Sequence, residues 1–158
     1  MYGRIFTAID GSASAQRALE EAVKLAQAMD ATVTAVCVVP HIAQLTDVGP
    51  VFADEQPSST AAAKAATAAL KDAQACFDQA HVKGVARVIE VWGEDIAAVL
   101  RRAADECEAD LVVMGTHGRH GWRRMLLGSV AESFVRTTDL PVLLLRHDPD
   151  VEPIPSGL

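Results

Sequence analysis

The residues best suited to hold a ligand lie in one stretch, Gly115-Thr116-His117-Gly118-Arg119-His120-Gly121-Trp122-Arg123-Arg124-Met125-Leu126-Leu127-Gly128-Ser129. The apolar run Leu111-Val112-Val113-Met114 precedes it and predicts a buried strand. Val130 to Val135 follows it and predicts a helix. A strand, a glycine-rich loop and a helix start together make a cradle for phosphate. Glycines let backbone N–H groups approach an anion closely, and the helix start adds unpaired N–H donors at the positive end of its dipole. Arg119, Arg123 and Arg124 stand in the loop without an acidic residue, in a chain of formal net charge −7. The chemistry implied is the binding of a phosphate-bearing anion.

Other residues around this loop admit two readings each. Ser129 and Glu132 form S-x-x-E, a capping box that accounts for both structurally. The Ser129 hydroxyl and the N–H groups of Ser129 and Val130 can equally serve a phosphate, so capping is expected in the empty protein and phosphate contact in the bound one. Arg119 is the candidate phosphate clamp, while Arg123 and Arg124 are expected to face solvent or a partner subunit. His117 and His120 form H-x-x-H, but no third ligand stands at a suitable spacing for zinc, so they read as solvated loop histidines. Asp10, in Asp10-Gly11-Ser12, can accept from a ribose hydroxyl or hold water around a phosphate-bound Mg²⁺. It can also cap the next helix, as can Ser12 or Ser14. No Ser/His/Asp set, paired carboxylates or catalytic lysine is evident. That points to binding of the phosphate-bearing ligand, or at most slow hydrolysis, rather than efficient catalysis.

The elements that must position these residues alternate. Arg4–Ile9 reads as strand one and residues 13–29 as helix one, with Ala18, Leu19, Ala22, Val23 and Ala26 on its apolar face. Thr32–Val39 is strand two, apolar on nearly every position and ended by Pro40. Such runs suit a parallel sheet covered on both faces. Residues 40–57, with Gly49, Pro50 and Pro57, form the longest loop and are expected to act as a mobile lid. Ser58–His81 is helical, Val85–Val91 is strand three, and a helix follows with Ile96, Val99, Leu100, Ala103, Ala104 and Cys107 on one face. Asp110–Met114 is strand four, a fourth helix runs to about Thr138, and Pro141–Arg146 is strand five. Strands alternating with helices mean a parallel α/β sheet with right-handed crossovers.

The glycine spacing is G-2x-G-9x-G-[ST], carried by Gly115, Gly118, Gly128 and Ser129. It resembles the nucleotide-binding signature of the ATP-binding branch of the universal stress protein family. Ala8-Ile9-Asp10-Gly11-Ser12 resembles the end of that family's first strand, and Leu126–Glu132 with Leu140–Leu144 its closing segment. The resemblance covers about residues 3–146. It implies an adenine nucleotide α-hydrolase-like fold, a doubly wound five-stranded parallel sheet of order 3-2-1-4-5. Strands one and four would then be neighbours where the winding reverses, which is where ligands bind in such sheets. It also implies ATP, with Mg²⁺ carried on its phosphates, held by Ala8, Asp10, Val38, Gly115, Gly118, Arg119, Gly128, Ser129 and Val130. Val38 would serve mainly through its backbone. Family members often carry a proline shortly after the glycine that follows strand three. Here Gly93 is followed by Glu94-Asp95, which puts negative charge near a site for an anion.

At 158 residues the chain is expected to fold as one domain over 1–146, with a frayed tail over 147–158. No apolar stretch approaches the roughly 20 residues that span a bilayer, and no signal segment opens the chain, so a cytoplasmic protein is expected. Acidic balance argues against a nucleic-acid surface. Cys37, Cys76 and Cys107 form no C-x-x-C pair and read as reduced, mostly buried thiols. Strand five is apolar for a sheet edge, which invites pairing with a second copy through Val142, Leu143 and Leu144; the resemblance implies such a homodimer as well. The function expected is a nucleotide-responsive dimer acting on a further protein partner. Two alternatives stand beside it: a structural dimer that binds no nucleotide, and a slow ATPase or adenylate-processing enzyme.

Overall fold

The computed structural model describes residues 1–41, 59–117 and 127–146. Residues 42–57 of the expected lid, the loop residues Gly118, Arg119, His120, Gly121, Trp122, Arg123 and Arg124, and the tail over 147–158 lie outside these. The chain runs β1 (Arg4–Ala8), α1 (Ala13–Met29), β2 (Thr32–His41), α2 (Ser59–Ala80), β3 (Gly84–Trp92), α3 (Ile96–Glu106), β4 (Leu111–Gly115), α4 (Ser129–Thr137) and β5 (Val142–Leu145). All five strands are parallel, in the order β3-β2-β1-β4-β5. This is the doubly wound sheet expected, with β1 and β4 adjacent where the winding reverses.

Alternation along the strands splits the core in two. Ile5, Val33, Ala35, Cys37 and Val113 point to one face and meet Leu19, Ala22, Ala73 and Phe77 of α1 and α2. Phe6, Val36, Val112 and Met114 point to the other and meet Leu100, Ala103, Ala131 and Phe134 of α3 and α4. Small side chains set the spacing. A Cβ on Gly84 would stand 2.7 Å from Cδ1 of Phe77, so that strand position must be bare for the ring to seat.

β2 does not end at Pro40, as its sequence suggested, but pairs with β3 through Pro40 opposite Val91 and His41 opposite Trp92. The reason is alternation. Val33 donates to Lys83 O of the β3 side at 2.9 Å, whereas Thr32 donates to Gly3 O of the β1 side at 3.0 Å. Even-numbered residues of β2 therefore aim their N–H groups at β1. The strand ladder with β1 stops at Ala8 opposite Val36, so the missing N–H of Pro40 falls where no strand remains to receive it.

Candidate functional site

The C-terminal ends of β1 and β4 bring the two sequence motifs together. Ser12 is the N-cap of α1, its hydroxyl accepting from Ala15 N–H at 3.3 Å. Asp10 is not the cap: its Oδ1 accepts the N–H of Ser12 at 2.8 Å and so holds the turn through Gly11, which has φ 80°. The second carboxylate oxygen makes no hydrogen bond among the described residues. Ser14 reaches across to the other motif. Its hydroxyl donates to His117 O, and the N–H of His117 lies 3.3 Å from the same hydroxyl. The start of α1 and the start of the glycine loop are thus fastened side by side.

Gly115 has a packing reason to be glycine. A Cβ there would lie 2.7 Å from Ser14 C and 2.9 Å from Ala15 N, so the first turn of α1 occupies the space. Thr116 is buried and donates its N–H to Leu145 O at 3.0 Å. Its hydroxyl lies 2.8 Å from Nδ1 of His117. Gly128 closes the far side of the loop, donating to Thr116 O at 2.6 Å.

The expected capping box is corrected here. Gly128, not Ser129, is the N-cap of α4, and no side chain caps the helix. Ser129 is the first helical residue and is exposed. Glu132 turns instead toward Arg136, 2.9 Å away, and only its backbone N–H returns, to Gly128 O at 2.9 Å. With glycine in the cap position there is no hydroxyl at the place where a capping box needs one. The first N–H groups of α4 are left for water or a ligand.

Ala8 and Val38 both pack toward the α3–α4 core, as does Val130 at the start of α4. Val38 follows Val36 on the same side of β2, and the last bond from the β1 chain is Ile9 N–H to Val36 O at 2.9 Å. The N–H and C=O of Val38 therefore face the gap beyond the end of β1. The acidic pair after β3 is engaged within its own chain. Gly93 turns with φ 71°, Asp95 caps α3 by accepting from Ala98 N–H at 3.0 Å, and Glu94 pairs with Arg102 at 3.0 Å. Asp95 thus has a structural duty that the sequence alone did not single out.

Among the described residues, no three His, Cys, Asp or Glu side chains come together that could hold a metal ion. No described helix is long and apolar enough to cross a membrane. Cys37 is buried, but Cys76 and Cys107 are only partly so, which corrects the expectation of mostly buried thiols.

A parallel 3-2-1-4-5 sheet with helices on both faces and an uncapped helix beside the winding reversal defines a doubly wound α/β domain of the adenine nucleotide α-hydrolase-like fold. The model of the universal stress protein family matches residues 1–146, and the chain belongs to that family. A putative universal stress protein of Staphylococcus saprophyticus is 30% identical over 93% of this chain and 85% of its own length. A family member from Burkholderia pseudomallei, solved by crystallography, is 35% identical with a TM-score of 0.68, covering 91% of this chain and 96% of that one. Two solved relatives share the fold and carry nucleotides. One is a universal stress protein in complex with cAMP, 24% identical, TM-score 0.66, covering 91% of this chain and 97% of that one. The other is from Archaeoglobus fulgidus in complex with dAMP, 22% identical, TM-score 0.66, covering 91% and 98%.

Proposed function

We propose that this protein binds ATP in the crevice between the ends of β1 and β4 and acts as a nucleotide-responsive regulator of a protein partner in the cytoplasm. The observation that carries the reading is the start of α4. Its N-cap is a glycine, its first side chain is an exposed serine, and no side chain uses its first N–H groups. That is a set of donors suited to phosphate oxygens. The triphosphate would lie against Gly115, Gly118, Gly128, Ser129 and Val130, with Arg119 as clamp. Val38 would meet the adenine edge through its N–H and C=O, beside Ala8. Asp10 would offer its second oxygen to the ribose or, through water, to Mg²⁺ on the phosphates. The cAMP and dAMP complexes of relatives support an adenine nucleotide as the ligand.

The hydroxyl–imidazole contact beside the proposed site, Thr116 Oγ1 with His117 Nδ1 at 2.8 Å, belongs to a buried threonine, which supports sensing over turnover. β5 supports assembly as a homodimer: it is a short apolar strand on the outside of the sheet, with Leu143 exposed between the half-buried Val142 and Leu144.

The test is titration calorimetry of ATP against the wild type and a variant with bulky residues at Gly118 and Gly128. Binding that is lost in the variant, with its circular dichroism unchanged, is the expected result; equal affinity would remove the assignment. Turnover should stay below about 1 s⁻¹, the low end of ordinary enzymes.

A further inference from the structure

The opposite edge of the sheet from β5 is β3, and its outer side has the features of an interface. β3 is nine residues long, more than twice β5, and among the described residues it pairs with β2 alone. Val85 is 59% exposed, Trp92 64% and Val88 37%. An edge of this length is normally guarded by lysine, proline or a bulge. β3 contains no lysine or proline, and its pairing with β2 runs without interruption from Gly84 to Trp92. Its two charges are turned back on their own protomer. Arg87 lies 3.6 Å from Glu106 of α3, and Glu90 lies 3.8 Å from His41 of β2. Trp92 is held at the end of the strand by a stacked His41 ring, with centroids 4.8 Å apart and planes 14° from parallel.

We propose that the outer edge of β3 pairs antiparallel with the same edge of a second copy, with Val88 on the two-fold axis. The register follows from which groups are free. Val33 donates to Lys83 O, so odd-numbered residues of this strand present their N–H and C=O to β2. Gly84, Ala86, Val88, Glu90 and Trp92 therefore present theirs outward. An antiparallel pair about a two-fold can centre on one of these, as a hydrogen-bonded pair, or on an odd-numbered residue between two of them, as a non-hydrogen-bonded pair. Centring on Glu90 or on Arg87 would set two like charges directly opposite, which disfavours the pair. Centring on Ala86 would leave Glu90 and Trp92 unpaired, and centring on Ile89 would leave Gly84 beyond the partner strand's end. Centring on Val88 engages all five residues from each copy. Val88 then meets Val88, Ala86 meets Glu90, and Trp92 meets Gly84, which has no side chain beside the indole. Exposed Val85 falls opposite Val91, and no like charges stand directly opposite.

This contact is independent of nucleotide and of β5, and the experiment keeps them apart. Sedimentation velocity at micromolar to submillimolar concentration would compare three proteins: Val142→Lys/Leu144→Lys, which disables β5; the same with Val88→Lys added; and the same with Val85→Lys in place of Val88→Lys. The β5 variant is expected to form a dimer as concentration rises. Val88→Lys sets two ammonium groups against each other and should hold the protein monomeric with its circular dichroism intact; Val85→Lys, opposite Val91, should weaken the dimer less. A β5 variant that stays monomeric throughout would overturn the proposal. So would a dimer that Val88→Lys leaves unchanged, and one that Val85→Lys weakens more than Val88→Lys does would overturn the register. A variant with Val88→Cys, Cys76→Ser and Cys107→Ser should also give a dimer cross-linked through the two introduced thiols on mild oxidation, since opposed Cα atoms of such a pair stand about 5.5 Å apart. Failure to cross-link in a sample that sediments as a dimer would likewise exclude this register.

Discussion

Thr116 and Gly128 close on each other across the base of the glycine loop. The N–H of Gly128 reaches Thr116 O at 2.6 Å, and a Cβ on Gly128 would stand 2.8 Å from that same oxygen. The backbone contact and a side chain at position 128 cannot coexist without a shift. Gly128→Ala is therefore expected to cost about 1–3 kcal/mol, the usual penalty for forcing atoms into filled space. Urea unfolding followed by circular dichroism measures it. A cost near zero would mean the loop base yields freely.

Two serines at helix starts should behave differently. Ser12 caps α1 through its hydroxyl, and Ser12→Ala should cost about 1 kcal/mol. Ser129 makes no cap bond, and Ser129→Ala should change stability by less than about 0.5 kcal/mol while lowering affinity for ATP. Parallel melts and calorimetry on the two variants separate the effects. Equal loss of stability in both would restore a capping duty to Ser129.

Thr7 sits in the middle of β1 with no exposed surface, and its hydroxyl finds no hydrogen-bond partner among the described residues. Valine has nearly the same shape and no polar atom to desolvate. Thr7→Val is expected to raise stability by about 1 kcal/mol. Chemical denaturation at neutral pH is the measurement, and a destabilised variant would show that the hydroxyl has a partner.

Burial pushes the Cys76 thiol above its ordinary value; a hydrogen bond with Gln16 pulls it down, and the nearby carboxylates of Glu20 and Asp72 add to the rise. A raised acid in the fold holds its proton more tightly than the unfolded chain does. Its contribution is complete below the ordinary thiol value and is lost as pH climbs from there through the folded value. Alkylation of Cys76 by iodoacetamide, followed by mass spectrometry, should reach half its limiting rate at a higher pH than free cysteine does. Stability should decline in that alkaline window less steeply in Cys76→Ala than in the wild type.

Much of this molecule could be read before folding, because periodicity survives into structure. The apolar face of α1 is buried as its spacing indicates, and the apolar runs of β2 and β4 are covered on both faces. The glycine spacing is a local property too, and its outer members Gly115 and Gly128 fall at the end of β4 and the cap of α4. What escaped was decided by partners distant in sequence. Nothing in Pro40 itself says that its nitrogen faces an ended strand. S-x-x-E at Ser129 satisfies a local rule, yet the helix is capped one residue earlier because Gly128 is drawn to Thr116. The Ser14–His117 contact joins residues 103 apart, and the bareness of Gly115 depends on where α1 passes.

Pro40 has a consequence for which backbone groups the crevice presents. A parallel ladder tends to zip: each bond formed places the next pair in reach. β1 leaves the ladder after Ile9 because Asp10 and Gly11 turn the chain into α1, and Val38 is left facing the groove. Pro40 is the one residue on that side of β2 that cannot offer a hydrogen, so the zipper runs out of teeth two residues after Val38. The turn at Gly11 thus ends the pairing, and Pro40 leaves Val38 as the last N–H donor on that side of β2.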